Sequence, residues 1–142
     1  MVGKYRSKFE GRVAEQIRRA VGPDFSYESH KIRFVRPAVP KLYTPDFILW
    51  NGIIIEAKGL FQPDDRAKHI WIAEQHPDLD IRFVFQNQNQ RINKASKTTY
   101  ADWCEKNGFL FAHKDVPTAW LLELYEENRW GAIEEAGYIK GL

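Results

Sequence analysis

The 142-residue sequence contains one cysteine, Cys104, so no disulfide framework holds the chain together. Its four histidines, His30, His69, His76 and His113, show no paired zinc spacing, and with a single thiol the pattern argues against a zinc centre or a Cys–His nucleophile. No glycine-rich phosphate cradle is present, which argues against nucleotide hydrolysis. No run approaches 18 apolar residues, so no membrane span or membrane partner is expected. The opening residues, Met1 to Arg6, lead into no apolar stretch of the kind a signal peptide needs, and a reducing, intracellular setting is the expectation. Internal repeats and low-complexity tracts are likewise missing.

Aromatic residues are plentiful: five Trp, six Tyr and nine Phe. With 44% hydrophobic and 28% charged residues, a single folded core is expected rather than a disordered chain. Net charge is only +2, but it is unevenly spread. Residues 1–41 carry ten Lys/Arg against four Asp/Glu, and residues 99–142 carry four against eight. Between Asp80 and Asp102, Arg82, Arg91, Lys94 and Lys97 meet no acid in the sequence. This polarity suits a polyanion, although an ordinary solvated face has a similar composition.

Ser7 to Val21 reads as a helix, with Phe9, Val13, Ile17 and Val21 on one stripe and Gly22-Pro23 as its stop. Ser7 with Glu10 has the spacing of a capping box. Phe25 to Val35 reads as a strand with a bulge or break near Ser29–Lys31. Arg36 to Pro40 reads as an extended connector, because two prolines remove ladder donors. Tyr43–Leu49 and Ile53–Lys58 read as a hairpin around Asn51-Gly52. A helix follows from Asp64 or Asp65 to Gln75, then a buried strand over 81–85. Residues 86–97 form a polar, basic loop. A helix over 99–107 stops at Gly108, a short strand spans 109–112, and a helix runs from Pro117 to about Glu127. This order indicates one α/β domain with a mixed central β-sheet flanked by helices. Its parts would be an N-terminal helix and strand (1–35), the proline-containing connector (36–40), a core (41–122) and an acidic C-terminal segment (123–142).

The hairpin carries the chemistry. Glu56 and Lys58 share a strand face by alternation. A two-residue turn at Asn51-Gly52 would put Asp46 opposite Ala57, on the other face from Glu56. A three-residue loop, Trp50-Asn51-Gly52, puts Asp46 directly opposite Glu56 and needs a left-handed residue at Gly52. Opposed carboxylates between two apolar strands repel and lose water, so they require a proton or a cation. Hard oxygen ligands suit Mg²⁺, and Lys58 would supply a positive charge or position a water.

Pro45-Asp46 followed by Glu56-Ala57-Lys58 resembles the motif of the PD-(D/E)xK nuclease superfamily, with its restriction-endonuclease-like core. Further words are similar to the phage endonuclease I family of Holliday-junction resolvases: Arg6-Ser7-x-Phe9-Glu10, Tyr43-Thr44-Pro45-Asp46-Phe47, Glu56-x-Lys58-Gly59-Leu60, Asp64-Asp65-Arg66-x-Lys68-His69, and Glu74-Gln75-His76-Pro77-x-Leu79-Asp80-Ile81-Arg82. They run from about Lys4 to about Trp120, and nothing past Leu121 is recognised.

The resemblance implies a metal-dependent endonuclease of branched DNA, acting in the host cytoplasm if phage-encoded. It implies Asp46, Glu56 and the Ala57 carbonyl as ligands of Mg²⁺ or Mn²⁺. Lys58 would assist the attacking water, and Glu10 would serve a second ion. It also implies a domain-swapped homodimer crossing over at Pro37–Pro40. Candidate phosphate contacts are Arg6, Lys8, Lys31, Arg33, Arg36, Arg66, Lys68, Arg91, Lys94 and Lys97. One departure stands out: the family has an acid just before the tyrosine of the strand after the helix, whereas Ser26 precedes Tyr27 here and the acid is Glu28. Glu28 is then either a substitute or a surface residue, and Glu10 is either a helix cap or a ligand.

Overall fold

The structure, a computed structural model, describes residues 4–36, 39–137 and 139–140. Thirteen elements follow in order: α1 (Lys8–Val21), β1 (Phe25–Tyr27), β2 (His30–Arg36), β3 (Val39–Tyr43), β4 (Phe47–Leu49), β5 (Ile54–Lys58), α2 (Pro63–Gln75), β6 (Ile81–Phe85), α3 (Tyr100–Asn107), β7 (Leu110–His113), α4 (Thr118–Leu121), α5 (Glu127–Glu135) and β8 (Ile139–Lys140). Five strands form a mixed sheet in the order β1-β4-β5-β6-β7. β1, β4 and β5 run antiparallel to their neighbours, and β5, β6 and β7 are parallel.

β4, β5 and β6 read as near-continuous apolar runs because both faces of this sheet are covered. One face carries Phe47, Leu49, Ile53, Ile55 and Val84 against Phe9, Val13 and Ile17 of α1. The other carries Ile48, Ile54, Phe83 and Phe85 against Ile72, Tyr100, Trp103 and Cys104. Cys104 is therefore a core residue, and burial pushes its thiol up to about 12, far from the range of a reactive thiolate.

The segment 25–35, expected as a strand with a bulge or break near Ser29–Lys31, is two strands in two sheets. β1 pairs with β4 in the large sheet, and β2 lies at the centre of a second sheet, β3-β2-β8. The break is at Glu28, whose φ is +51°, a conformation costly for any residue with a Cβ.

The connector expectation needs correction. Arg36 pairs with Val39 and Val35 with Pro40, so the chain folds back as an antiparallel hairpin. Pro40 is tolerated because β3 is an edge strand and because Val35 and Pro40 do not exchange ladder bonds. The Val35 N–H and C=O instead bond the Gln75 side chain on the opposite flank. Pro37 and Ala38, the centre of the expected crossing segment, lie outside the described residues.

The helix expected from Pro117 to Glu127 ends early, at Leu121, and a second helix begins at Glu127. The interruption lets Glu123 turn inward to Arg82 and Arg129. Arg82, grouped by sequence with Arg91, Lys94 and Lys97 as a basic stretch that meets no acid, is buried, with paired bonds to both Asp80 oxygens at 2.8 Å.

Candidate active site

The β4–β5 turn sets the site. Phe47 pairs with Ile55 and Ile48 with Ile54, the register of the three-residue loop. Gly52 has φ +86° and donates to the Leu49 carbonyl at 2.9 Å. A Cβ here would also lie 2.7 Å from Arg129 Cβ, so Gly52 answers both a backbone and a packing demand. Asn51 is fully buried, and its amide donates to the Trp120 and Glu123 carbonyls. The C-terminal segment is thereby fastened to the turn that fixes the register.

That register brings Asp46 opposite Glu56. Each carboxylate holds the other strand's backbone: Glu56 Oε2 accepts from the Asp46 N–H at 3.0 Å, and Asp46 Oδ2 accepts from the Ala57 N–H at 3.0 Å. Both acids are buried, at 8% and 1% exposure. Burial, the Glu56 charge and Glu10 push Asp46 up to about 9. Burial acts on Glu56 in the same sense, but Lys58 and His69 outweigh it and hold Glu56 at about 2. The pair is thus built to share one positive charge, supplied by a proton if by nothing else.

Glu10 approaches from α1. Ser7 Oγ accepts the Glu10 N–H at 3.0 Å, so Ser7 caps the helix as expected. The Glu10 side chain does not complete a capping box with Ser7, however. Its Oε1 accepts from the Arg6 N–H at 3.0 Å and from the Tyr27 hydroxyl at 2.7 Å. Glu28 arrives at the same place through its positive φ, with its N–H on the Asp46 carbonyl at 3.2 Å. One oxygen each of Glu10, Glu28 and Asp46 lies within 4.8 Å of the other two. Glu28 Oε2 is buried without a hydrogen-bond donor among the described residues, and the Arg6 guanidinium lies 4.0 Å from it. Three converging carboxylates and an unsatisfied buried oxygen are a donor set of the kind that fits Mg²⁺ or Mn²⁺. Glu56 stands outside this trio, with both of its oxygens engaged by neighbouring groups.

Lys58 Nζ lies 2.8 Å from Asp65 Oδ2 and 3.5 Å from Glu56 Oε1. Burial alone would lower its pKa, but Glu56, Asp65 and Asp46 raise it, so it stays an ammonium. Four residues that support the site had no role in the sequence reading. Tyr43 donates to Glu56 Oε2 at 2.8 Å, and Tyr27 donates to Glu10. Asp65 holds Lys58. His69 is fully buried with Nε2 3.5 Å from Glu56 Oε1. The Asp64-Asp65-Arg66-x-Lys68-His69 word contained both Asp65 and His69. Their helical spacing of four puts them on one face of α2.

The candidate phosphate contacts scatter more widely. Arg6, whose N–H bonds Glu10, and Lys8 are both exposed. Lys31 donates to Thr44 Oγ1 at 3.0 Å, and Lys68 pairs with Asp65 at 3.2 Å. Arg66 is partly committed to the Phe61 carbonyl. Arg33, Arg91, Lys94 and Lys97 are exposed, and the Arg36 side chain lies outside the described set.

The mixed sheet and the hairpin bearing Asp46, Glu56 and Lys58 define an α/β nuclease core of the PD-(D/E)xK kind. Within that class the chain belongs to the phage endonuclease I family, whose sequence model matches residues 1–138. It is 44% identical over 136 residues to Endonuclease I of Escherichia phage T7, covering 96% of this chain and 91% of that protein. It is 49% identical over 123 residues to Endodeoxyribonuclease 1 of Enterobacteria phage T3, covering 87% and 80%. The family match extends beyond Leu121, where the sequence words stopped, and takes in α5. Among the described residues no helix is long and apolar enough to cross a membrane.

Proposed function

We propose that this chain hydrolyses phosphodiesters of branched DNA, four-way junctions above all, with Mg²⁺ or Mn²⁺ as cofactor. The observation that carries the reading is the convergence of Glu10, Glu28 and Asp46 beside Lys58, in a family whose relatives are named endonucleases. Asp46, Glu56 and the Ala57 carbonyl would hold one ion. Glu10 and Glu28 would complete a second position with Asp46, Glu28 standing in for the acid absent at Ser26. Bound there, divalent ions lower the pKa of water and offset charge on a phosphoryl oxygen. The chain's own residues do the rest. Lys58, held as an ammonium by Asp65 and Glu56, presents positive charge and a donor to a phosphate oxygen or to the attacking water. It is not the base. Tyr27 and Tyr43, both kept as phenols by burial and neighbouring carboxylates, orient Glu10 and Glu56.

The test is nicking of a synthetic four-way junction with and without Mg²⁺, beside a mismatched linear duplex. Metal-dependent paired cuts at the junction are expected. Preference for the mismatch would make this a nuclease of another specificity, and tight junction binding without cleavage would make it a binding protein. Affinity measured in chelator should fall steeply with salt, log K against log salt sloping by about −0.9 for each phosphate neutralised.

The working unit proposed is a homodimer that exchanges its N-terminal part. In a single chain Glu10 meets the hairpin of its own chain, and α1, β1 and β2 precede the rest of the core through one short reversal. Exchange about that reversal remakes every contact between two copies. Co-refolding Glu10→Ala chains with Glu56→Ala chains should restore partial cleavage, because one of the two composite sites is then intact. If each site forms within one chain, the mixture stays as inactive as either parent.

A further inference from the structure

A cavity of about 600 Å³ opens where β5, β6 and β7 end. It is lined by Arg12 from α1, by Lys114 after β7, and between them by Gly59, Gln86, Gln90 and His113. No carboxylate lines it. None of the readings above assigns it a role, and Arg12, His113 and Lys114 were not among the expected phosphate contacts.

Three features mark it as a built site. First, its two permanent cations come from opposite ends of the sequence, and both are exposed. Second, Lys114 has φ +69°, a strained conformation held by its N–H bond to the Phe85 carbonyl at 2.7 Å. Such strain persists where the surroundings impose it, and it collects at functional positions. Third, the neutral lining is rich in donors and acceptors. Of the five successive amide residues at 86–90, four line the cavity: Gln86, Asn87, Asn89 and Gln90. His113 Nδ1 accepts from the Gln88 N–H at 3.2 Å, which leaves Nε2 of the neutral ring as a donor.

The cavity is also joined to the active site. Gly59 directly follows Lys58, and the Gln86 N–H donates to the Lys58 carbonyl at 2.9 Å. A Cβ at Gly59 would lie 3.3 Å from Gln86 Oε1, so this wall is tightly drawn. On its far side, Gln90 also lines a second cavity of about 310 Å³ bearing Arg91 and Lys94. Cations and amides thus continue from the catalytic lysine toward the 86–97 loop without an intervening acid among the lining residues.

We propose that this cavity binds the sugar–phosphate backbone of the cleaved DNA strand, one or two nucleotides from the scissile linkage. Arg12 and Lys114 neutralise its phosphates, and the amides and His113 hydrogen-bond sugar or base edges. Its volume lies in the range of small-ligand sites. Phosphate contacts of this type position the strand and carry no sequence information. The proposal rests on the DNA-cleaving reading above, and its test separates the two.

Affinity for a four-way junction is measured in chelator against salt for three full-length proteins: wild type, Arg12→Ala with Lys114→Gly, and Arg18→Ala with Arg19→Ala. Glycine accepts the positive φ at 114, so that variant removes charge without adding strain. The second pair removes the same charge from the far turn of α1, where both arginines bond Glu15. The first variant should lose about tenfold in affinity near physiological salt, with a slope shallower by about 1.8, two phosphates' worth. The second should follow wild type. A neutral methylphosphonate placed in turn at each linkage flanking the cut should weaken wild type at two positions and leave the Arg12/Lys114 variant unaffected there. Equal affinities and slopes for the two variants would overturn the subsite while junction cleavage by wild type stood. A wild type that neither bound nor cut junctions would overturn both readings.

Discussion

Asp46→Asn is expected to lower junction cleavage by at least about a thousandfold while raising thermal stability in the absence of divalent ions. The first effect follows from the place of Asp46 at the corner shared by Glu56 and the Glu10–Glu28 pair. Every proposed ion position uses it, and a thousandfold corresponds to roughly 4 kcal/mol of lost transition-state stabilisation. Junction binding should persist, because the substitution adds no negative charge to a site that must approach phosphate. The second effect is linkage. The folded-state pKa of Asp46, about 9, lies above its ordinary value of 3.8, so between these pH values the folded protein binds a proton that the unfolded chain does not. Stability from this group is full at low pH and is lost as pH rises through that window. Glu56 runs the other way: its depressed pKa gives stability above about 4.5 that is lost as pH falls toward 2.

Metal-free wild type should therefore lose Tm between pH 6 and pH 8.5, and Mg²⁺ should restore part of it. In Asp46→Asn the pH slope and the Mg²⁺ response should both shrink, with Tm about 3–8 °C above metal-free wild type at pH 8. Asparagine can still accept the Ala57 N–H, so the strand pairing survives. Scanning calorimetry at several pH values, with and without Mg²⁺, checks the second effect, and single-turnover nicking checks the first. A variant with wild-type Mg²⁺ response and pH slope would show that Asp46 carries no excess proton.

The part of the site legible in the sequence is the part built by local rules. Strand alternation placed Glu56 with Lys58, and Gly52 permitted the three-residue loop whose register opposes Asp46 to Glu56. What supports those acids was not legible, because it comes from distant elements. Tyr43 and His69 reach Glu56 only after β3 and α2 have packed, and Tyr27 reaches Glu10 across 17 residues. The break at Glu28 could be placed only loosely, since nothing in Tyr-Glu-Ser-His announces a positive φ. Pro40 misled for a definable reason: a proline prohibits only the strand positions that must donate, and at the edge opposite Val35 no donor is required. Arg82 misled because its partner, Glu123, lies 41 residues away in a segment whose helix had been expected to continue through it.

That arginine is the centre of the second large effect. Arg82 bonds both Asp80 oxygens at 2.8 Å and both Glu123 oxygens at 3.1 and 3.0 Å. Arg129 closes the set through Asp80 at 3.0 Å and through Glu123. The Arg82 guanidinium also lies 5.3 Å from the Trp120 ring centroid. Asp80 and Glu123 both titrate below the ordinary carboxylate range. Burial opposes this at Asp80 and the two arginines overcome it; at Glu123 the bond from Arg82 leads. Removing Arg82 leaves two carboxylates facing one arginine inside a partly desolvated pocket, which for buried pairs costs about 3–5 kcal/mol.

Arg82→Ala should accordingly lower Tm by about 10 °C or more and shift the urea midpoint down. Cleavage at 20 °C should remain measurable, since no acid or lysine of the site touches Arg82. At 37 °C it should fall with the folded fraction, because the same network clamps the C-terminal segment on which Asn51 and Gly52 rest. Arg82→Met with Glu123→Gln restores charge balance and volume, and should recover much of the stability lost in Arg82→Met alone. A double-mutant cycle that instead gave additive losses would mean that Arg82 contributes through packing on Trp120 rather than through its carboxylates.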